Sequence, residues 1–236
     1  MNRNGRRIKS QIEILGDKSI SHRALMISSI SKGISRINNF LFSHDSISTL
    51  NCLRKLGVRI EVDNEKVLVY GNGLSSFKFY EGVLDARNSG TTMRLLSGIL
   101  SGHKFKSIID GDTSLRRRPM DRIIKPLSLM GAKIFAGREG KFCPIHIIGG
   151  KLNSISYKME VDSAQVKSSI LFAALYGDST TKIYEKIKTR DHTERMLKYF
   201  GGKIEVNNEE ISIKSSELIS REVFIPGDIS SASFFM

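Results

Sequence analysis

Asn88–Ile99 reads NSGTTMRLLSGI. Small polar residues suited to an N-cap lead into an almost wholly apolar run. That is the pattern of a helix that opens at a polar cap and then enters a core. The same opening occurs as DKSISHRALMIS from Asp17 and as SAQVKSSILFAA from Ser163, 71 residues before and 75 residues after Asn88. Each run breaks at a glycine (Gly33, Gly102 and Gly177), and a β-like stretch follows: ISRINNF, KSIIDG or TKIYEK. Self-similarity with a period near 70 residues marks an internal repeat.

The second half of each unit recurs as well. HDSISTLNCLRKLGVRIEV, RRPMDRIIKPLSLMGAKIFA and RDHTERMLKYFGGKIEV each read as an amphipathic helix ended by a glycine (Gly57, Gly131, Gly201) and followed by a strand. A further strand comes next, as in KVLVYG or EISIKS. The unit is therefore strand, helix, strand, helix, strand, strand, and the class is α/β. A fourth opening, GDISSASFFM from Gly227, starts an apolar helix that has neither a C-cap nor a following strand, so the chain reads as truncated.

With 236 residues, 40% of them apolar and 26% charged, the chain can bury a core and is too apolar to be disordered. Cys52 and Cys143 make no disulfide framework and read as buried thiols in a reducing compartment. The basic start lacks the apolar segment of a signal peptide, and the longest strongly apolar run, Ile170–Tyr176, cannot span a bilayer. A soluble, cytoplasmic protein is expected. A formal charge of +13 implies anionic partners, whether nucleic acid, membrane surface or phosphorylated metabolites.

The N-termini of buried helices present free N–H groups and partial positive charge, which suits anions. Lys18, Ser19 and Arg23 lie in the first opening, Asn88, Ser89, Gly90, Thr91 and Arg94 in the second, and Ser163 and Gln165, with Lys167 just beyond, in the third. For one opening alone, caps and solvated cations explain these residues. Cations in the first turns oppose the helix dipole, and an anionic ligand is the natural compensation. In Arg116-Arg117-Arg118-Pro119 the proline suits the first helical position, which would place Arg118 at a cap beside a bound anion. Thr189, Arg190, Asp191 and His192 hold the equivalent place in the third unit, where His192 beside Asp191 reads as a structural cap pair before an acid or base. No nucleophile triad, metal cluster, dinucleotide fingerprint or carboxylate pair stands out. The residues alone give an anion-binding α/β repeat domain and no reaction.

The segments GDKSISHRALM, DARNSGTTMRLLSGIL, DGDTSLRRRPM, MGAKIFA, VDSAQVKSSILFAAL, TRDHTERML and PGDISSASFF resemble, in order, the motifs of the 3-phosphoshikimate 1-carboxyvinyltransferases. These are the enolpyruvyl transferases of the shikimate pathway of aromatic amino-acid biosynthesis. The resemblance implies a fold of two lobes, each of three βαβαββ units. Residues 1–13 would be a strand of the second lobe. Residues 14–225 would form the shikimate-3-phosphate-binding lobe, with repeats at about 14–84, 85–160 and 161–225, and 226–236 would begin the largely missing second lobe.

By motif, Lys18, Ser19, Arg23, Ser163, Ala164, Gln165, Thr189 and Arg190 resemble shikimate-3-phosphate ligands, with Thr189 standing where many members have Ser. Lys18, Asn88, Gly90, Arg118 and Gln165 resemble the phosphoenolpyruvate side. The implied reaction is addition of the 5-hydroxyl of shikimate-3-phosphate to phosphoenolpyruvate, then loss of phosphate, with no metal or organic cofactor. The family's proton-transfer acids would lie in the missing lobe, leaving Lys18 as a supporting charge and no catalytic acid here, so the chain alone is expected not to turn over. Small-molecule substrates, a monomeric full-length form and no nucleic-acid or membrane partner are expected. The alternatives are a UDP-N-acetylglucosamine enolpyruvyl transferase, against which DKSISHR speaks, and a basic nucleic-acid-binding repeat module.

Overall fold

The computed structural model describes residues 14–64 and 66–233, and of Arg138 the backbone alone. The strand expected over 1–13 lies outside the described residues. The first unit comprises α1 (Lys18–Ser29), β1 (Lys32–Asn38), α2 (His44–Lys55), β2 (Arg59–Asp63) and β3 (Lys66–Asn72). Next come β4 (Val83–Asp85), α3 (Gly90–Ser101), β5 (Lys106–Asp110), α4 (Asp121–Leu129), β6 (Lys133–Arg138) and β7 (Phe142–Ile148). The third unit runs through β8 (Ser156–Lys158), α5 (Ala164–Ala174), β9 (Thr180–Tyr184), α6 (His192–Tyr199), β10 (Lys203–Asn207) and β11 (Glu210–Lys214). β12 (Glu222–Phe224) and the single turn α7 (Ile229–Ala232) close the described chain.

The strands form three four-stranded sheets in the orders β12-β1-β3-β2, β4-β5-β7-β6 and β8-β9-β11-β10. In each sheet the short strand lies parallel to its neighbour across an opening helix, and the other pairings are antiparallel. Every unit is thus βαβαββ, with one rearrangement that a linear reading misses. The leading strand of the first unit is β12, from the far end of the chain. The repeats therefore close on themselves, and the two chain crossings meet. Gly16 bridges Gly227, Asp17 N–H donates to Pro226 O at 2.8 Å, and Asp228 N–H donates to Leu15 O at 2.9 Å.

Strand periodicity explains how the sheets face the core. In β3 the alternating Val67 and Val69 are fully buried, as are Cys143 and Ile145 in β7 and Ile213 in β11. Helices α1, α3 and α5 are apolar around most of their circumference and run inside this shell, each almost wholly buried beyond its first turn. Each of α2, α4 and α6 packs against two of the inner helices, so all six helices form a closed ring. The outer helices end alike. Gly57, Gly131 and Gly201 take φ of +86°, +91° and +89°, and the amide after each donates back to Leu53, Leu127 or Leu197. This is the left-handed helix stop that only glycine adopts without strain.

The closest helix crossing is between α3 and α5. A Cβ placed on Gly98 would lie 2.2 Å from the backbone oxygen of Ser169. Backbone cannot step aside like a flexible side chain, so Gly98→Ala should force the two helices apart. We expect a loss at the upper end of the about 1–3 kcal/mol typical of core overpacking, read as a melting temperature several degrees lower. Gly150→Ala is the control, since nothing lies within 4 Å of its added methyl, and it should leave the melting temperature unchanged. Equal behaviour of the two variants would contradict this packing.

Candidate functional site

The three inner helices open through the same device. Asp17 Oδ1 accepts from Ile20 N–H at 2.8 Å, Ser89 Oγ from Thr92 N–H at 3.0 Å, and Ser163 Oγ from Val166 N–H at 3.4 Å. In each case the cap engages the third helical amide and leaves the first two to other partners. Side-chain contacts tie these openings together. Gln165 of α5 accepts from Arg94 Nη1 of α3 at 2.7 Å and donates through Nε2 to Thr91 Oγ1 at 2.9 Å. Arg23 of α1 donates through Nη2 to Ser168 Oγ of α5 at 2.9 Å and through Nε to Thr193 Oγ1 of α6 at 2.6 Å.

Two basic clusters result. The first holds Asn88, Gly90, Arg94, Arg118 and Gln165. Arg118 Nη2 donates to Asn88 Oδ1 at 2.6 Å, and a Cβ on Gly90 would lie 2.7 Å from Arg94 Nη1 and 3.5 Å from Arg118 Nη1. Gly90 is therefore the floor between two guanidinium groups. Arg94 is only 7% exposed and gives Nη2 to Pro119 O; among the described residues it pairs with no carboxylate and its buried Nε has no partner. Burial, then the charges of Arg122 and Arg118, push it down to about 10. A buried guanidinium held by neutral acceptors beside two other cations is an incomplete arrangement that an anion would complete.

The second cluster is built around Arg23, with Ser19, Ser163, Ala164, Thr189 and Arg190 on the elements that meet there. Arg23 is 3% exposed and commits three of its five donor hydrogens internally, to Ser19 O, Ser168 and Thr193, leaving two. Burial pushes it down to about 10. Arg190 is exposed and close enough to oppose the charge of Arg23. Thr189 Oγ1 donates to Glu185 at 3.0 Å, so its single proton is already placed. Lys18 is half-exposed and reaches Asp45 of α2 at 3.1 Å, and the backbone oxygen of Asp45 lies 3.5 Å from Thr92 Oγ1 of α3. Lys18 thus sits on the α1 side with its charge held against α2.

Three expectations need correction. Lys167 is not an anion ligand. It is fully buried between Glu185 at 2.9 Å and Glu194 at 2.5 Å. Pro119 does not open a helix, because α4 begins at Asp121 after Met120, and Arg118 instead ends the 3-10 turn Leu115–Arg117. Of the arginines in that turn, Arg116 pairs with Asp110. Asp191 stands at the N-cap of α6 but makes no capping hydrogen bond, so the cap-pair reading of Asp191 and His192 fails.

The residues missed from sequence were the buried acids around Lys167 and a polar chain through the core. That chain runs from His22 Nδ1 to Thr49 Oγ1 (2.6 Å), to Thr92 Oγ1 (2.7 Å), and on to Ser89 Oγ (2.7 Å). Counting one proton per hydroxyl, Thr92 gives its proton to Ser89, Thr49 to Thr92, and His22 donates from Nδ1. This leaves His22 Nε2 bare, buried and, among the described residues, unpartnered. Burial, opposed by Asp45 and reinforced by Arg23 and Lys18, drives the His22 pKa from 6.5 down to about 3. The signal in the sequence was a histidine and threonines on faces otherwise filled by Leu, Ile and Met. Among the described residues no cluster of His, Cys, Asp and Glu could hold a metal ion, and no helix is long and apolar enough to cross a membrane.

Comparison with known proteins agrees with this fold. A family model described as EPSP synthase (3-phosphoshikimate 1-carboxyvinyltransferase) matches residues 2–236. The 3-phosphoshikimate 1-carboxyvinyltransferase of Thermoanaerobacter sp. (strain X514) is 53% identical over 230 residues, covering 97% of this chain and 54% of the relative. That of Petrotoga mobilis is 51% identical over 233 residues, with the same coverage. The structure of EPSP synthase from Acinetobacter baumannii superposes with a TM-score of 0.92 at 44% identity, over 95% of this chain and 51% of that one. The chain thus spans about half the length of the curated relatives it matches.

The buried histidine sets a sign for pH dependence. Unfolded, His22 takes up its proton near 6.5, and folded only near 3, so between these values the unfolded chain binds more protons. Its contribution is intact above about pH 6.5 and declines on acidification by at most about 1.4 kcal/mol per pH unit. Thermal melts between about pH 7 and pH 5 should show a falling transition temperature, and His22→Asn should flatten that fall. Equal slopes in the two proteins would contradict a neutral buried His22.

Proposed function

Because the chain belongs to the EPSP synthase (3-phosphoshikimate 1-carboxyvinyltransferase) family, we propose that residues 14–225 form the lobe that holds shikimate-3-phosphate and one wall of the phosphoenolpyruvate site. The observation that carries this reading is the pair of basic clusters that meet at the opening of α5, one for each anionic reactant. Arg94, Arg118, Asn88 and the open floor at Gly90 suit the phosphate and carboxylate of phosphoenolpyruvate. Arg23, Ser19, Ser163, Ala164, Thr189 and Arg190 surround the place for shikimate-3-phosphate, and Lys18 lies between the two. The reading carries with it a monomeric, cytoplasmic full-length protein acting on small molecules.

The chemistry assigned to the site is addition and elimination. The 5-hydroxyl oxygen of shikimate-3-phosphate bonds to C2 of phosphoenolpyruvate while C3 gains a proton. The tetrahedral intermediate then loses a proton from C3 and expels phosphate from C2, which restores the double bond and leaves the enolpyruvyl ether. Both reactants are polyanions, so the first task of this lobe is to offset their mutual repulsion at bonding distance. Its second task is orientation. Gln165 follows Ser163 and Ala164 at the opening of α5 and bonds to Arg94 and Thr91 of α3, so it holds the two ligand places side by side, which favours the bimolecular step by proximity. The proton-transfer acids belong, in this reading, to the other lobe, and closure of the two lobes would exclude water.

Calorimetric titration tests this directly. Shikimate-3-phosphate should bind one-to-one, and unphosphorylated shikimate about tenfold to a hundredfold more weakly, as expected for loss of one or two charge-assisted contacts. Lys18→Ala should weaken binding of both, whereas Arg190→Ala should narrow the gap between them. Gly90→Ala, which sets a methyl against Arg94, should weaken phosphoenolpyruvate and leave shikimate-3-phosphate nearly unchanged. Equal affinity for shikimate with and without its phosphate, in folded protein, would overturn the assignment.

A further inference from the structure

Lys167 lies one turn into α5, on the helix whose first residues reach both basic clusters, and its side chain has no exposed surface. Burying an ammonium group is costly unless it is paired and hydrogen-bonded. Its Nζ donates to both oxygens of Glu185, at 2.9 and 3.0 Å, and contacts Glu194 at 2.5 Å. The position of these two acids in the chain is informative. Glu185 directly follows β9, and Glu194 is the third residue of α6. They stand at the two ends of the irregular segment 186–191, which carries Thr189 and Arg190.

Glu185 also reaches into that segment. Its Oε2 accepts from Thr189 N–H at 3.3 Å and from Thr189 Oγ1 at 3.0 Å. A single buried cation therefore holds the entrance of the loop, the exit of the loop, and through Glu185 the residue beside Arg190. Lys186, Ile187 and Lys188 are exposed and add no core packing of their own, so this clamp is the main constraint on the loop's path. The clamp also has an electrostatic effect. Two carboxylates beside an anion site would repel the ligand, and Lys167 offsets one of those charges. The second oxygen of Glu194 has no hydrogen-bond partner, and burial raises the pKa of this acid.

We propose that Lys167, Glu185 and Glu194 are positioning residues that clamp the 186–191 loop and so, through Thr189, hold Arg190 in place for the phosphate of the bound acid. The clamp stands on the geometry alone, whereas its effect on the ligand rests on the shikimate-3-phosphate reading above. Neither acid needs to touch the ligand.

The test is Lys167→Met in the full 236-residue chain. Should that variant fail to fold, Glu185→Gln takes its place, since it keeps the Lys167–Glu194 pair and removes only the charged acceptor of Thr189. Two readouts are needed. Hydrogen exchange at the Thr189 amide should speed up by about tenfold relative to amides of α3. The preference for shikimate-3-phosphate over shikimate, measured by calorimetry, should fall by about tenfold while shikimate affinity stays within about twofold. Unchanged exchange at Thr189 in a folded variant overturns the clamp. Faster exchange with an unchanged preference overturns the positioning role, because a merely structural ion triad would leave ligand discrimination alone. If the unsubstituted chain shows no preference, the shikimate-3-phosphate reading and the positioning role both fail, and the exchange result still decides the clamp.

Discussion

With no side chain at Gly98, α3 lies directly against the backbone of α5 at Ser169, and the two buried helices open side by side. Their first turns can then exchange hydrogen bonds through Gln165, Arg94 and Thr91. A ligand-sized anion site needs donors from several elements within a few ångströms, and helices held apart by bulky contacts could not supply them. The ring closure made by β12 has the same consequence for α1. It fixes the α1 opening beside the other two through Arg23, Ser168 and Thr193.

Three buried cations resolve the cost of burial in three ways. Lys167 is held by two carboxylates, Arg23 by hydroxyl and carbonyl oxygens with two donors in reserve, and Arg94 by a glutamine and a carbonyl with its Nε unmatched. The first is complete within the protein and acts as structure. The other two make no ion pair with a carboxylate among the described residues, and they lie at the converging helix openings, whose dipoles have the same sign. A formal charge of +13 says only that anions are welcome. The way individual cations are paired shows where an anion is needed.

Much of the fold was legible because its punctuation is chemical. Gly57, Gly131 and Gly201 occupy a backbone conformation that side chains resist, and Asp17, Ser89 and Ser163 cap through short polar groups, so both landmarks survive as residue types. The placement of β12 beside β1 was not legible, since a three-residue strand carries almost no periodic signal and its partner lies about 190 residues away. In the site, the basic residues of the helix openings could be found by position, but their partners could not. Lys167 and Lys18 look alike on the page, yet tertiary contact alone makes one a buried clamp and leaves the other half-exposed. Arg118 was expected at a helix cap because proline favours the first helical turn. Here the 3-10 turn before it takes up the chain, and α4 starts two residues after Pro119.

The central claim is that one phosphorylated acid binds where the openings of α1 and α5 meet the start of α6. Backbone amide chemical shifts recorded during titration with shikimate-3-phosphate locate it directly. The account predicts saturable shifts concentrated at Lys18–Ser21, Ser163–Val166 and Thr189–Arg190, with the outer sheet strands unmoved. Shifts centred on the exposed arginines near Arg117, growing without saturation, would instead mean diffuse surface charge and would contradict a built site.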